Sequence, residues 1–442
     1  MAHRPTPTHL SLTRRAMLKD LGLAAGGTLA APYVISSTAL GGEGRPSASE
    51  RVTMGWIGAG GRGTSLLRNF LGFSEAEVRA VCDVKKHRRD AAKHRVEQHY
   101  GKQGCETYVD FRDLCGREGI DAVTVASPDH WHVRHALEAV RAGKDVYCEK
   151  PLGLSVEQGQ VLRRAVRKYG RVFQFGTQER SSWTTRFAAA MVQSGRIGKV
   201  HKITVASRYS RASGNYPPMP VPDWLDYDRW LGPAPWVPYT ENRVKNSHWQ
   251  HISDYSLGWL AGCGIHTVDM AQWGHGTSHT GPISVEGTGK FPPDGLCNCA
   301  TGWDVTMKFA DGVTMRFTDG KRNPLGVKFE GEDGWVFVKE RHLGGTFDAH
   351  PKSLLRDPIR PDEVRLPVSN HHQKNFLDAV KSRNDPVAPI EVAVRSDTLC
   401  QLTDVATRLG RKLRWAPERE IFPDDPGANR WLTRPMRAPW TL

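Results

Sequence analysis

The sequence lacks the basic block that nucleic-acid-binding proteins usually carry. Its 442 residues include 61 Lys and Arg against 47 Asp and Glu, for a formal net charge of +14. The positive residues are spread along the chain, as in VKKHRRD at 84–90, and no compact run is interleaved with aromatic side chains. A charge distributed in this way indicates solubility, so we expect no nucleic acid among the partners.

Cysteine pairs at metal-binding spacing are also missing. Cys297 and Cys299 form a C-x-C, but no second Cys or His pair stands at zinc-finger spacing. Cysteines between residues 82 and 148 lie beside residues of predicted strands and helices, which is typical of buried free thiols. The cysteines therefore predict no structural metal site.

The N-terminal segment lacks an apolar run long enough to span a membrane, because the stretch at 21–31 is short and rich in glycine. It follows Arg14 and Arg15 in TRRAMLK and precedes small residues, with Thr38-Ala39 as a cleavage point. The segment resembles a twin-arginine export signal. We predict a signal peptide at 1–39, a linker at 40–50, the twin-arginine translocase as partner, and a periplasmic or membrane-associated protein.

A glycine-rich turn between a strand and a helix opens the remaining chain, which is long enough for two domains. The stretch VTMGWI at 52–57 predicts a buried strand, and the apolar spacing from Leu66 predicts a helix. Between them, Gly58, Gly60 and Gly63 fit G-x-G-x-x-G: the first allows the tight turn, the second lets a pyrophosphate approach, and the third lets helix and strand pack closely. Gly61 and Arg62 complete this predicted dinucleotide-binding loop.

The second predicted strand ends in Asp83, 20 residues after Gly63 (83 − 63 = 20). An acid at this distance binds the ribose hydroxyls of NAD and repels the 2′-phosphate of NADP. The carboxylate therefore favours NAD. Lys85, Lys86 and Arg88 stand nearby and could bind a phosphate, so NADP remains the alternative. Later strands follow at β-α-β spacing, which predicts a Rossmann domain over 51–175. Ligands of such sheets bind at the carboxyl ends of the strands, where the following residues fall: Asp129, His132, Lys150, Gln178 and Arg180.

Two motifs at these strand ends resemble those of the Gfo/Idh/MocA (glucose–fructose oxidoreductase, inositol dehydrogenase) superfamily. Glu149-Lys150-Pro151 is similar to its E-K-P motif, and Ser127-Pro128 with His132 is similar to T-P-x-x-x-H, with Ser for Thr. The resemblance implies a cofactor role for these residues. It also implies an α+β second domain with a large open, mostly antiparallel sheet, here 176–442, and a homo-oligomer. Alternating stretches agree with that sheet, and Asp311-Gly312 and Asp333-Gly334 predict tight hairpin turns.

Lys150 is the foremost catalytic candidate. A lysine in a closed cleft loses solvation and exchanges protons more readily, and the resemblance implies that this one serves as acid or base for hydride transfer at the nicotinamide. The resemblance also implies a peptide bond before Pro151 in the cis form.

His266 is the second catalytic candidate, in a helix predicted to begin near Gly264. By helical spacing Asp269 shares its side and could orient it. The resemblance implies D-x-x-x-H here, but Gly262 stands where the aspartate belongs. Asp254, Asp269 or a substrate group then has to substitute.

Further side chains are predicted to bind substrate: Gln178, Arg180, His248 and Asp254. The stretch KNSHWQHISDYSLGW at 245–259 fits a sugar-binding loop, with Trp249 and Trp259 for stacking on sugar faces. His248 and His251 are three residues apart, so a metal cluster is the alternative that the histidines leave open, although we predict none.

The leading hypothesis is an NAD(P)-dependent oxidoreductase for a sugar, sugar derivative or cyclitol. Because no NAD pool reoxidises NADH outside the cytoplasm, the cofactor would stay bound and be restored in each turnover. One alternative is an NAD-dependent glycoside hydrolase that acts by transient oxidation. Another is a dehydrogenase with freely exchanging NAD. The third is a sugar-binding homologue that has lost catalysis.

Overall fold

Short buried strands alternate with helices in the first part of the structure. This computed structural model describes residues 46–442, so the predicted signal peptide and residues 40–45 of the linker lie outside the described residues. Residues 46–51 contain a 3-10 turn, Ala48–Glu50, and residues 52–442 form one compact unit.

The first sheet has six strands, with one helix between each two successive strands. The strands are β1 (Val52–Ile57), β2 (Ala76–Cys82), β3 (Glu106–Tyr108), β4 (Ala122–Val125), β5 (Asp145–Cys148) and β6 (Phe173–Phe175). The helices are α1 (Gly61–Leu71), α2 (Lys86–Tyr100), α3 (Phe111–Gly116), α4 (Asp129–Arg141) and α5 (Val156–Tyr169). All neighbours are parallel in the order β3-β2-β1-β4-β5-β6, which confirms the Rossmann prediction.

Local sequence explains where these helices begin and end. The side chain of Asp110 accepts a hydrogen bond from the amide of Arg112 and so caps α3, and that of Ser155 caps α5 in the same way. Gly101 and Gly170 adopt left-handed backbone just after α2 and α5. Leu66, Leu67 and Phe70 of α1 are fully buried, as their helical spacing predicts.

The second sheet has eight strands: β7 (Val200–Ser207), β8 (Ser284–Lys290), β9 (Gly302–Lys308), β10 (Thr314–Asp319), β11 (Gly326–Gly331), β12 (Trp335–Val338), β13 (Phe347–His350) and β14 (Leu413–Arg414). Their order is β13-β12-β11-β7-β10-β9-β8-β14, and only β7 and β10 run parallel among these neighbours. This confirms the predicted open, mostly antiparallel sheet. Hairpin turns at Gly312 and Gly334 have positive φ, as their Asp-Gly pairs predict.

Nine further helices accompany the second sheet within residues 176–442: α6 (Trp183–Gln193), α7 (Tyr227–Leu231), α8 (Glu241–Val244), α9 (Asn246–Trp249), α10 (Trp259–Gly262), α11 (Gly264–His275), α12 (His372–Ser382), α13 (Ile390–Leu409) and α14 (Pro426–Asn429). Four more 3-10 turns lie at Gln178–Ser181, Arg341–Leu343, Lys352–Leu355 and Arg430–Leu432. No helix of the described part is long and apolar enough to cross a membrane.

The chain returns to the first sheet late in the sequence. Phe376 of α12 packs edge-on against Phe70 and Tyr147, with ring centroids 6.3 and 5.8 Å away. The buried helix α13 lies against both α5 and β8. Residues far beyond 176 therefore complete the core of the nucleotide-binding sheet, and the division after residue 175 stays a prediction.

Candidate active site

One large cleft lies at the carboxyl ends of β1, β2, β4 and β5, with about 1360 Å³ of space not filled by protein. The first sheet lines it with the glycine loop, Asp83, Asp129, His132 and Lys150. The second part of the chain contributes Trp230, Trp249, Gln250, Ser256, Trp259, Gly262, Cys263 and Trp440. Open parallel sheets bind ligands at the carboxyl ends of their strands. The cleft lies at this edge, which is where the sequence predicted the ligand-binding residues.

The glycine loop divides its tasks as its spacing predicts. Gly58 has φ of 91°, and a Cβ there would stand 2.6 Å from the backbone of Ala126 and Ser127. A Cβ on Gly63 would lie 2.0 Å from the carbonyl oxygen of Gly58. Gly60 lines the cleft, where a Cβ would meet only the guanidinium of Arg88, at 3.2 Å. Gly58 and Gly63 thus serve packing, whereas Gly60 leaves room for a ligand.

Asp83 is held by two backbone amides that point at its carboxylate. Its Oδ2 accepts from the N–H of Ala59 at 2.7 Å and its Oδ1 from the N–H of Lys85 at 2.8 Å. The half-buried carboxylate lines the cleft beside the glycine loop. This fixed acceptor suits the ribose hydroxyls of a dinucleotide.

Glu149 is fully enclosed and linked to two predicted site residues. Arg62 donates from Nε to Oε1 at 2.8 Å, and Gln178 donates from Nε2 to the same oxygen at 2.9 Å. Burial alone would raise the pKa of Glu149, but the charges of Arg62 and Lys150 lower it below its usual value. Gln178 does not line the cleft, so in this structure it orients Glu149 and is not placed to bind substrate.

His132 joins the loop after β4 to the loop after β5. Its buried ring has Nε2 2.8 Å from the carbonyl oxygen of Ser127 and Nδ1 2.6 Å from that of Pro151. The peptide bond between Lys150 and Pro151 is cis, as the resemblance implied. Ser127, Pro128 and His132 all line the cleft.

Lys150 reaches across the cleft to the second domain. Its Nζ donates a hydrogen bond to the carbonyl oxygen of Gly262, at 2.5 Å. Gly262 lines the cleft, and a Cβ there would meet only Trp259 Cδ1, at 3.6 Å. The position that the resemblance assigns to a carboxylate is therefore occupied by a backbone carbonyl and open space.

The carboxylate of Asp269 has partners that the sequence did not indicate, and its role in orienting His266 stays a prediction. The carboxylate is fully buried and accepts from Arg180 Nε at 2.9 Å and from Ser396 Oγ at 2.8 Å. Arg180 is buried in the same ion pair and does not line the cleft, so it is not placed to bind substrate either. Arg180, 89 residues earlier in the chain, thus binds the same carboxylate that i, i+3 spacing assigned to the histidine. His266 is buried on α11 and is not among the cleft-lining residues.

The other predicted substrate residues lie outside the cleft lining as well. Tyr216 Oη is 3.2 Å from Nε2 of His248, and Asp254 is half-buried. Of the tryptophans, Trp249 and Trp259 line the cleft, whereas Trp183 is exposed and stacks on Phe187.

Lys85 is a functional candidate that sequence reasoning did not single out. It is buried beside Asp83 at the cleft, and its Nζ donates to the carbonyl oxygen of Val244 at 3.0 Å. Burial, together with the nearby charge of Arg88, lowers its pKa to about 8. No local signal marks it, since its enclosure depends on a segment 159 residues away.

Asp397 of α13 is a second residue that the sequence did not reveal. Its Oδ1 accepts from the amide of Leu152 at 3.0 Å, just after the Lys150-Pro151 bond. Gln401 donates to Asp397 Oδ2 and to the carbonyl oxygen of Gly153. Burial raises the pKa of Asp397 to about 7. Helix α13 therefore positions the loop that carries Lys150.

The residues present fit a dinucleotide. A pyrophosphate needs a close approach to backbone and free N–H groups, which Gly60 and the start of α1 at Gly61 provide. Asp83 has the carboxylate that a ribose needs as an acceptor, and Lys150 lies where the resemblance implies the nicotinamide.

Comparisons with known proteins agree with this geometry. The family model "GFO_IDH_MocA: Oxidoreductase family, NAD-binding Rossmann fold" matches residues 52–177. The model "GFO_IDH_MocA_C2: Oxidoreductase family, C-terminal alpha/beta domain" matches residues 188–442.

Two curated relatives match part of the chain. A glycosyl hydrolase family 109 protein of Shewanella baltica is 32% identical over 162 residues, which cover 34% of this chain and 35% of that protein. An uncharacterized oxidoreductase of Bacillus subtilis, YrbE, is 29% identical over 188 residues, 42% of this chain and 49% of that protein. The chain thus spans between a third and a half of the length of these relatives.

Among solved structures, the aldose-aldose oxidoreductase of Caulobacter crescentus, complexed with glycerol, shares the fold. The TM-score is 0.63 at 16% identity, and the match covers 82% of this chain and 99% of that chain. An identity this low supports the fold alone.

Proposed function

Because the chain belongs to the Gfo/Idh/MocA oxidoreductase family, we propose that it is an NAD-dependent oxidoreductase for a sugar, sugar derivative or cyclitol. Its cofactor stays bound and is restored within each turnover. The proposal that the cofactor stays bound rests on one observation, a segment of the second domain that lies over the cleft.

This covering segment, residues 224–256, is hydrogen-bonded to the first domain beside Asp83. The amide of Lys86 donates to the carbonyl of Trp224 at 2.9 Å, and the amide of Asp226 donates to that of Val84 at 3.1 Å. The side chain of Lys85 adds its bond to Val244. These contacts would hold the segment beside a ligand whose ribose lies on Asp83 and so slow its departure.

The same segment is also bonded near the other end of the cleft, at the start of α4. The amide of His130 donates to the carbonyl of Tyr255, and Trp131 Nε1 donates to that of Trp230, both at 3.1 Å. A Cβ on Gly232 would lie 2.0 Å from the ring of Trp131, so the packing between the two is close.

Residues of the C-terminal tail hold the covering segment in place. Arg437 donates to Oδ1 of Asp228 at 2.6 Å and to the carbonyl of Gly232 at 3.0 Å. Trp440 packs edge-on against Trp131, with centroids 4.8 Å apart, and lines the cleft. Release of a bound dinucleotide would require this whole assembly to open, which favours slow exchange.

The chemistry follows from the residues at the nicotinamide end. A bound nicotinamide supplies or accepts a hydride. Lys150, fixed on the carbonyl of Gly262, retains N–H groups that can face a substrate oxygen as its charge develops. Trp249 and Trp259 offer flat apolar surfaces for a sugar ring.

NAD is favoured over NADP because the Asp83 carboxylate is fixed where a 2′-phosphate would stand. Arg88 near Gly60 is the feature on the side of NADP. We also propose export by the twin-arginine translocase, on the strength of the Arg14-Arg15 segment, and self-association through the second sheet.

A direct experiment is mass spectrometry of protein purified from its native compartment without added nucleotide. We expect one dinucleotide per chain, mostly NAD or NADH, released only on denaturation. Arg437→Ala, which removes the brace on the covering segment, should speed its loss during dialysis. The proposal of a retained cofactor would be wrong if the protein carried no dinucleotide and needed added NAD in every turnover. That outcome would indicate freely exchanging NAD.

A glycoside hydrolase acting by transient oxidation is the second candidate. The observation in its favour is the similarity of about a third of the chain to the Shewanella baltica family 109 protein. Release of p-nitrophenol from nitrophenyl glycosides with no net NADH would select this candidate. Tight sugar binding with no turnover of any kind would select a binding protein instead.

A further inference from the structure

The cleft contains a buried carboxylate, Asp129, to which no catalytic or binding role has been assigned above. Asp129 begins α4 at the carboxyl end of β4 and lines the cleft together with His132, Lys150 and Gly262. Its relative exposure is 6%, so it belongs to the small group of carboxylates removed from bulk water. Buried carboxylates are rare unless paired or functional, which makes its surroundings informative.

Ser256 of the covering segment fixes the orientation of this carboxylate. Its Oγ accepts from the amide of Gly258 at 3.1 Å and donates to Oδ2 of Asp129 at 2.7 Å. Ser256 Oγ is the acceptor for the amide of Gly258, and its own hydrogen is directed at the carboxylate of Asp129. This is the only side-chain donor to Asp129 within residues 46–442, where no arginine or lysine forms an ion pair with it.

We propose that Asp129 is the carboxylate of the reaction centre, and that it takes up and returns the proton of the substrate hydroxyl in place of the acid missing at position 262. The inference rests on the proposed oxidoreductase function. The two positions lie on the same cleft: Gly262 presents only a carbonyl, which is occupied by Lys150, and open space.

The balance of the step is simple. When a substrate CH–OH becomes C=O, the carbon loses a hydride to the bound nicotinamide and the oxygen loses a proton. Asp129 accepts that proton and becomes a carboxylic acid, while the Lys150 ammonium faces the oxygen and remains charged. Reduction of a carbonyl reverses both transfers.

The electrostatics hold the pKa of Asp129 above that of an ordinary aspartate. Burial raises the pKa of Asp129, while the charge of His132, the hydrogen bond from Ser256 and the charge of Lys150 lower it in part. Asp397 and Cys148 are the further titratable groups that interact with it. A base poised in this way is more effective than an ordinary aspartate.

The test uses the purified holoprotein and the reduction of its bound nicotinamide by myo-inositol, D-glucose or N-acetyl-D-galactosamine. In Asp129→Ala we expect the rate to fall at least about 100-fold, with the dinucleotide content unchanged and with recovery as formate is added. Ser256→Ala should lower the rate less and shift the acid limb of its pH profile. Asp90→Ala, on the exposed surface of α2, is the control and should behave like the unaltered protein.

A second measurement does not depend on substrate. In protein labelled with ¹³C at aspartate carboxyls, we expect one resonance that titrates well above ordinary aspartate and is absent from Asp129→Asn. If none of the three sugars reduces the nicotinamide of the unaltered holoprotein, that result contradicts the proposed function. The titration still measures the protonation of Asp129 in that case.

Three results would overturn the inference. They are an ordinary titration of Asp129, a rate in Asp129→Ala within about threefold of the unaltered protein, and a loss of rate that formate does not restore.

Discussion

The ammonium group of Lys150 donates a hydrogen bond to the backbone carbonyl of Gly262, so the one residue links the first domain to the second across the cleft. The partner is a main-chain atom, which no substitution at position 262 removes. The side chain is thereby held at a fixed place in the site.

Replacing Lys150 should stop the chemistry and leave the cofactor in place. In Lys150→Met we expect the rate of reduction of the bound nicotinamide to fall at least about 100-fold, because a positioned donor for the substrate oxygen is lost. Dinucleotide content, measured by absorbance after denaturation, should not change. Lys86→Met, on the exposed face of α2, is the control. A normal rate in Lys150→Met would remove this residue from the site.

Substitutions in the glycine loop should separate folding from binding. Gly63→Ala places a Cβ 2.0 Å from the Gly58 carbonyl, so we expect a lower melting temperature. Gly60→Ala adds a Cβ in the open cleft, so the fold should persist while dinucleotide content falls. Gly116→Ala meets nothing within 4 Å and serves as the control. Equal stability of the Gly63 and Gly116 variants would contradict the packing role.

The buried pair of Arg180 and Asp269 should matter for stability. Asp269→Asn leaves the guanidinium without its charge partner in an enclosed site, and we expect the free energy of unfolding to fall by about 3–5 kcal/mol. Asp90→Asn breaks the exposed pair with Lys86 and should cost roughly 1 kcal/mol or less. Urea denaturation followed by fluorescence measures both. Similar small losses would mean that the buried pair contributes little.

An acid introduced at position 262 should not improve the enzyme. Gly262→Asp fits without steric conflict, since its Cβ meets only Trp259 at 3.6 Å. A second carboxylate would raise the pKa values of both acids and draw Lys150 from its present contact. We expect the rate to fall by about tenfold, the effect of one pKa unit, with an altered pH profile. A rise in rate would show instead that the cleft lacks the acid it needs.

Lys85 should give the stability a distinctive pH dependence. Its pKa is lowered in the folded state from 10.5 to about 8, so between these values the unfolded chain binds the extra proton. The free energy of unfolding therefore rises with pH across this window, and the charged form destabilises the fold below it. Lys85→Met should abolish this rise, which is about 3 kcal/mol by pKa arithmetic. Denaturation at several pH values measures it, and parallel curves for both proteins would contradict the assignment.

The predictable features of the site are those encoded within short stretches. The roles of Gly58 and Gly63 and the distance to Asp83 follow from one β-α-β unit, and the Glu149-Lys150-Pro151 motif identifies the loop that carries the lysine. Helical spacing placed Asp269 beside His266 correctly on α11. It could not reveal that Arg180, from the 3-10 turn at Gln178–Ser181, also binds that carboxylate.

The features that escaped prediction depend on contacts between distant parts of the chain. Asp397 lies 245 residues after Leu152, the residue whose amide it holds. The enclosure of Lys85 and the donor to Asp129 both come from the covering segment. Nothing local distinguishes such residues from ordinary surface acids and lysines, because their chemistry is created by burial.

The position of Trp440 gives the cleft an order of assembly. This ring lies against Trp131 and lines the site, yet it is synthesised after every strand of both sheets. A nascent chain synthesised only as far as residue 430 would lack Trp440, one of the side chains that line the cleft. Retention of the cofactor thus depends on synthesis of the chain as far as Trp440, and products truncated before it would be distinguishable by the ease with which they lose the cofactor.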